Sequence, residues 1–229
     1  MALEALGLLK STLVDYPGEV AATLFTHGCN LSCPYCHNPR LVSGPVPEDF
    51  LTREQVMAYL HRRRGVLGGV CITGGEPTLH ADLPELVSEI HELGLKVKID
   101  TNGTLPERIA GLHADYFAMD VKAAPAHYER VGMSDAADRL RRSMESIRAS
   151  GAEYEFRTTV VPGIVFDEDV DEICEVLVPG DTYILAQYRP MLTLDPSFES
   201  VGPYPIATLE AMKDRCAARG VNVHVRAGK

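Results

Sequence analysis

The sequence predicts an α/β fold, and three observations predict it. Apolar, β-branched runs recur at Val20–Thr26, Val70–Thr73, Lys96–Asp100, Tyr116–Val121, Tyr154–Val161 and Thr182–Tyr188. The stretches between them carry apolar residues at helical spacing. Polar and glycine-rich clusters fall directly after the strand runs, where parallel α/β folds gather their sites. Alternation of this kind implies βαβ units and a parallel sheet. Six such repeats make either a doubly wound sheet or part of a β/α barrel.

The elements follow in order. Gly7–Pro17 reads as an N-terminal edge strand or hairpin, closed by the turn signal Asp15-Tyr16-Pro17-Gly18. Thr52 with Gln55 three residues on has the spacing of a capping box and opens a helix. Leu86, Val87, Ile90 and Leu93 share one helical face, and Leu140, Met144 and Ile147 share another. Val170, Ile173, Cys174 and Leu177 form a third stripe, and Leu209, Met212 and Cys216 a fourth. Val221–Val225 adds a last strand. No Gly/Ser-rich linker divides residues 1–229, which reads as a single domain.

At 45% hydrophobic and 24% charged, the composition is that of an ordinary globular chain. The formal net charge of −10 argues against nucleic acid or an anionic membrane as partner, since either calls for a basic face. No transmembrane run and no signal peptide are legible, so the expected location is cytoplasmic, with thiols reduced. The six cysteines then read as ligands or buried thiols; Cys71, Cys174 and Cys216 fall on apolar faces as small core residues.

Cys29-Asn30-Leu31-Ser32-Cys33-Pro34-Tyr35-Cys36 puts three thiols into one loop. Thiolates so close repel unless a metal or cluster neutralises them. A structural zinc site takes four protein ligands, and His37 beside Cys36 is an awkward fourth. Three cysteines suit a 4Fe–4S cluster with one iron left open. Zinc and unligated thiols remain as the other readings.

CxxxCxxC after a first strand, with an aromatic residue before its last Cys, resembles the radical S-adenosylmethionine (radical SAM) superfamily. Gly74-Gly75-Glu76-Pro77 after the second strand is similar to that superfamily's GGEP motif. Asp15-Tyr16-Pro17-Gly18, Cys36-His37-Asn38-Pro39, Asp100-Thr101-Asn102-Gly103, Met119-Asp120-Val121-Lys122 and Arg157…Val160-Val161-Pro162-Gly163 extend the resemblance to the activating enzymes of glycyl radical enzymes. Among these the chain most resembles the activating protein of anaerobic ribonucleoside-triphosphate reductase. The implied fold is a partial (β/α)6 barrel of the radical SAM type.

The resemblance implies a role for each motif. Cys29, Cys33 and Cys36 hold the 4Fe–4S cluster through which catalysis runs. Tyr35, Gly74, Gly75, Glu76, Pro77, Asn102, Lys122 and Arg157 bind S-adenosylmethionine: the glycines admit its ammonium, and Lys122 and Arg157 face its carboxylate. Asp100, Thr101, Met119 through its carbonyl, and Asp120 hold a monovalent cation. Val160, Val161 and Pro162 read either as the lining of the adenine side or as an ordinary buried strand end. Asp15 meets the partner's glycyl loop. By their position beside the cysteines, His27 and His37 read either as hydrogen-bond donors to cluster sulfurs or as plain loop residues. The implied reaction is reductive cleavage of S-adenosylmethionine to a 5′-deoxyadenosyl radical, which takes a glycine Cα hydrogen from the partner.

The partner is then the anaerobic ribonucleotide reductase large subunit, with a low-potential donor such as flavodoxin or ferredoxin. The basic run His61-Arg62-Arg63-Arg64 offers that donor a dock and otherwise reads as a solvated helix end; His61, His91 and His113 read as solvated. Two rivals stay open: a formate-lyase type partner, or a small-molecule substrate as in 7-carboxy-7-deazaguanine synthases. A structural zinc or cluster protein would leave the other strand-end motifs unexplained.

Overall fold

A computed structural model describes residues 3–227. Among them, nine strands form one sheet in the order β3-β1-β2-β4-β5-β6-β7-β8-β9. Two short antiparallel pairings start it: β1 (Ala5–Thr12) lies between β2 (Ala21–Thr26) and the two-residue β3 (Leu51–Thr52). From β2 onward every pairing is parallel: β4 (Gly69–Gly74), β5 (Lys96–Thr101), β6 (Tyr116–Asp120), β7 (Glu153–Val160), β8 (Thr182–Gln187) and β9 (Asn222–Arg226). The sheet does not close on itself. All six expected strands are present, and so are the N-terminal hairpin and the last strand.

Six helices supply the crossovers: α1 (Arg53–Arg63), α2 (Leu83–Glu92), α3 (Pro106–Ile109), α4 (Ala137–Ala149), α5 (Asp167–Val176) and α6 (Ile206–Ala217). Thr52 caps α1 as its spacing predicts, with Thr52 Oγ1 accepting from Gln55 N–H and Gln55 Oε1 accepting from Thr52 N–H at 2.9 Å. Between β5 and β6 the helix shrinks to the single turn α3, which no periodicity in that stretch had suggested.

The two faces of the sheet differ in chemistry. Ile72, Val97, Ile99, Phe117, Met119 and Phe156 point toward the helices and pack on Leu86, Ile90, Leu140, Met144, Ile173 and Met212 in one continuous core. Burying each such side chain contributes about 1.5–3 kcal/mol. Alternate residues face the concave side, where the register sets Cys71 beside Lys98, Lys98 beside Tyr116 and Asp120 beside Arg157. That side is charged, apart from a floor where Tyr16 packs on Tyr116 with ring centroids 6.0 Å apart.

Two cysteine readings change here. Cys174 on α5 and Cys216 on α6 are joined as a disulfide across Cα atoms 5.6 Å apart, instead of remaining separate thiols. The helices pack face to face, a juxtaposition that a 42-residue separation in sequence conceals. Cys71 is a free, fully buried thiol, as expected, but on the charged face.

Asp181, in the turn before β8, ties α4 to the sheet. Its carboxylate accepts from Arg148 Nη2 at 2.6 Å, Val178 N–H at 2.8 Å and Tyr154 hydroxyl at 3.0 Å. Burial alone would raise its pKa; these partners outweigh burial and hold it below the usual carboxylate range. A depressed carboxyl stabilises the fold above its unfolded pKa of about 3.9, and that contribution is lost as pH falls through the folded value. Asp181→Asn should therefore cost about 3 kcal/mol at pH 7, as breaking one side of a buried pair does. Urea titrations should show the gap from wild type narrowing below about pH 4.

Candidate active site

The loop after β2 carries the three thiols, and backbone bonds pin it on three sides. Gly28 N–H and Cys29 N–H donate to the Leu41 and Val42 carbonyls at 2.9 and 3.0 Å, and Ser32 N–H to the Val131 carbonyl at 3.0 Å. From the segment after β8, Leu194 N–H and Asp195 N–H donate to the carbonyls of Cys36 and Pro34. The result is that Cys29, Cys33 and Cys36 line one cavity of about 260 Å³ at the carboxyl ends of the strands.

Burial pushes the Cys33 thiol up to about 12 and the Cys29 thiol upward as well, and the neighbouring sulfurs add to the shift. Thiols in that setting ionise only against a bound cationic centre. Among the described residues no three or more His, Cys, Asp and Glu side chains form a group that could hold a metal ion. His37 does not complete a zinc site: its Nε2 is 2.9 Å from the Arg189 carbonyl and its ring stacks on Tyr188. Three cysteines sharing one cavity fit a polynuclear iron–sulfur centre. Hydrogen bonds to sulfur come from Leu31 N–H at 3.5 Å and, at the long limit, the Asn102 amide, both on Cys29. Neither His27 nor His37 makes one.

Opposite the thiols, β4 ends in two glycines the fold requires. A Cβ on Gly74 would sit 2.4 Å from Thr26 N, and Gly74 has φ +115°; a Cβ on Gly75 would sit 2.1 Å from the Gly28 carbonyl oxygen. The turn is thus packed directly against the backbone leading into the cysteine loop. Glu76 is 1% exposed, and its carboxylate faces the protein's own donors. Thr78 N–H, Thr78 hydroxyl and Thr101 hydroxyl donate to Oε1 at 3.1, 2.5 and 2.7 Å, and Asn102 N–H to Oε2 at 2.7 Å. Burial raises its pKa despite these bonds. Asn102 in turn bridges to the cysteine loop: its amide donates to Asn30 Oδ1 at 2.9 Å and accepts from Thr104 hydroxyl at 2.6 Å.

The far wall is charged. Asp100 and Asp120 flank the Arg157 guanidinium, and Lys122 Nζ donates to Asp120 Oδ2 at 3.0 Å. Burial opposes the charge on Asp120, yet Arg157 and Lys122 hold its carboxyl far below the ordinary range. Tyr35 is buried, its hydroxyl donating to the Lys122 carbonyl at 3.3 Å.

The fold therefore brings Cys29, Cys33, Tyr35, Cys36, Gly74, Gly75, Glu76, Asp100, Thr101, Asn102, Asp120, Lys122 and Arg157 to one cavity. Other expected residues lie elsewhere. Pro77 is buried in the 3-10 turn behind Glu76. The Met119 side chain fills the core under Gly103, leaving only its backbone near the strand end. Val160 and Val161 are core residues, and Thr159 lines the wall in their place. Asp15 accepts from Thr23 hydroxyl at 2.6 Å and lines a second, adjoining polar pocket with Lys98, Glu155 and Arg226; Asp100 and Arg157 line both pockets. The buried Nε2 of His27 has no hydrogen-bond partner among the described residues. His91, expected to be solvated, pairs with Asp115 at 2.8 Å. Lys98 and Glu155 were not anticipated, although the alternation Lys96-Val97-Lys98-Ile99-Asp100 and Glu153-Tyr154-Glu155-Phe156-Arg157 marks one polar strand face.

Comparison with known proteins decides the family. Residues 23–177 match the profile of the radical SAM superfamily. The chain belongs to that superfamily. A protein of Methanocaldococcus jannaschii, provisionally named a glycyl-radical enzyme activating enzyme, is 31% identical over 214 residues, covering 87% of this chain and 85% of its own. The 7-carboxy-7-deazaguanine synthase of Methanopyrus kandleri is 34% identical over 158 residues, covering 58% of this chain and 60% of its own. Among solved structures, Streptococcus suis SuiB bound to S-adenosylmethionine superposes with a TM-score of 0.66 at 18% identity, over 89% of this chain and 49% of its own. That likeness is one of fold, the partial barrel of radical SAM enzymes.

This radical SAM enzyme thus carries an iron–sulfur centre and S-adenosylmethionine as its cofactors, and its three loop cysteines fit the former. Among the described residues no helix is long and apolar enough to cross a membrane. The glycine contact gives a direct test. Gly75→Ala drives a methyl group into the Gly28 backbone and should cost about 1–3 kcal/mol. Circular dichroism should show a folded, less stable protein, and anaerobic equilibrium dialysis should show S-adenosylmethionine binding lost.

Proposed function

We propose that this radical SAM enzyme is the activating enzyme of a glycyl radical enzyme, with anaerobic ribonucleoside-triphosphate reductase as its partner. The observation that carries the reading is the convergence of Cys29, Cys33 and Cys36 with the Gly74-Gly75 turn on one cavity, in a chain that aligns over most of its length with a relative provisionally named a glycyl-radical enzyme activating enzyme. Cys29, Cys33 and Cys36 would hold a 4Fe–4S cluster with one iron free for the amino and carboxylate groups of S-adenosylmethionine. Reduced, that cluster supplies the electron that cleaves the sulfonium S–C5′ bond, giving a 5′-deoxyadenosyl radical able to take a glycine Cα hydrogen.

The chain's own residues orient and shield. Gly74 and Gly75 leave backbone groups open to the methionyl ammonium, and Glu76 and Asn102 hold that turn and the cysteine loop at fixed separation. Lys122 presents the cationic wall to the methionyl carboxylate, and Tyr35 and Leu31 bound the cavity against water. Asp15, in the turn between β1 and β2, is the proposed contact for a peptide segment of the partner, through the pocket it lines with Lys98 and Arg226. The deazaguanine synthase relative favours a second reading, a small-molecule substrate on the same concave face. Low-potential flavodoxin or ferredoxin is the proposed donor, and the cytoplasm the proposed location.

The test uses protein reconstituted with iron and sulfide without oxygen. With dithionite and S-adenosylmethionine, the expected outcome is 5′-deoxyadenosine release and, on adding the reductase subunit, a glycyl-radical doublet in electron paramagnetic resonance. Cys33→Ala should abolish both signals and the cluster absorbance. Deoxyadenosine without a glycyl doublet on any glycyl partner would move the substrate to a small molecule.

A further inference from the structure

The expected monovalent-cation site does not fit the residues present. Asp100 and Asp120 stand at the ends of β5 and β6, where two carboxylates facing one cavity repel unless a positive charge lies between them. A protein side chain already lies there. Arg157, paired in register with Asp120, sets Nη2 3.2 Å from Asp100 Oδ2, Nε 2.8 Å from Asp120 Oδ1 and Nη2 3.1 Å from Asp120 Oδ2. The remaining Asp100 oxygen is paired with Lys98, whose side chain is 2% exposed, and Asp120 Oδ2 is shared with Lys122. Each of the four carboxylate oxygens therefore already meets a cationic N–H. Thr101, expected among the cation's ligands, donates its hydroxyl to Glu76.

The charges balance without an ion. Asp100, Asp120 and the nearby Glu155, 3.6 Å from Arg157 Nη1, are matched by Lys98, Lys122 and Arg157. A sodium or potassium ion between the aspartates would have to share its place with a guanidinium, and like charges in a partly buried cavity repel strongly. The planar fork suits the gap, since it reaches both carboxylates at once where a lysine could reach one.

We infer that Arg157 is the built-in cation of this site, so that S-adenosylmethionine binds here without a monovalent metal ion. Arg157 is a positioning residue that acts through Asp100 and Asp120, fixing the wall against which the methionyl carboxylate is held. The inference rests on the reading that this cavity binds S-adenosylmethionine.

The experiment measures S-adenosylmethionine affinity of the anaerobic holoenzyme by calorimetry in tetramethylammonium, sodium and potassium chlorides at matched ionic strength. Wild type should bind with a Kd that varies by no more than about twofold among the three salts. Arg157→Gln should bind about tenfold more weakly in tetramethylammonium and recover severalfold in sodium or potassium, because a buried carboxylate pair without its cation becomes an ion site. The melting temperature of Arg157→Gln, unlike that of wild type, should rise with the metal cation at fixed ionic strength. Should that variant fail to fold, the wild-type titration decides alone. A wild-type Kd that tightens tenfold with sodium or potassium would overturn the inference while leaving the cofactor assignment standing. No binding in any of the three salts would overturn both.

Discussion

The buried Glu76 carboxylate is the contact on which the rest of the mouth depends. One side chain joins the turn after β4 to the end of β5, receiving donors from Thr78, Thr101 and Asn102. Through Asn102 the same connection reaches Asn30 and so the cysteine loop. A carboxylate at 1% exposure is costly to bury, and its four donors offset that cost. Those donors would be as costly to leave unpaired, at about 1–3 kcal/mol each. The network is therefore rigid in both directions, which suits a cavity that must hold two groups at fixed separation.

The concave face applies the same logic with full charges. In a parallel sheet covered on both sides, strands usually read as continuous apolar runs. Here β5, β6 and β7 place Lys98, Asp100, Asp120, Glu155 and Arg157 on the uncovered side. Alternating signs across neighbouring strands let each charge find its partner at strand spacing, so the desolvation cost of each ion is met locally. An unclosed sheet makes such a face accessible from the side as well as from the mouth. The adjoining pocket around Asp15, Lys98 and Arg226 extends the polar surface away from the cysteines.

The helical side supplies the stiffness. Aliphatic and aromatic residues of alternate strand positions lock into the helix stripes, and two devices add cross-links: the Cys174–Cys216 disulfide between α5 and α6, and Asp181 with Arg148 between the β8 turn and α4. Close packing on this face is what allows loops on the other to be placed by a few backbone bonds.

Much of this was legible in the chain alone. Hydrophobic periodicity determined the order of strands and helices, because burial on one side of an element repeats with the geometry of that element. Cys29, Cys33, Cys36 and the Gly74-Gly75 pair announced themselves locally, since their chemistry depends on spacing within a few residues. What the chain could not show was which distant groups meet. That Arg157 lies between Asp100 and Asp120, that Glu76 turns inward to Thr101 and Asn102, that Val160 and Val161 face the core, and that Cys174 meets Cys216 are all consequences of register and helix packing. Local sequence sets which side chains share a face; only the assembled sheet sets the ångström distances across strands, and charge pairing and hydrogen bonding are decided at that scale.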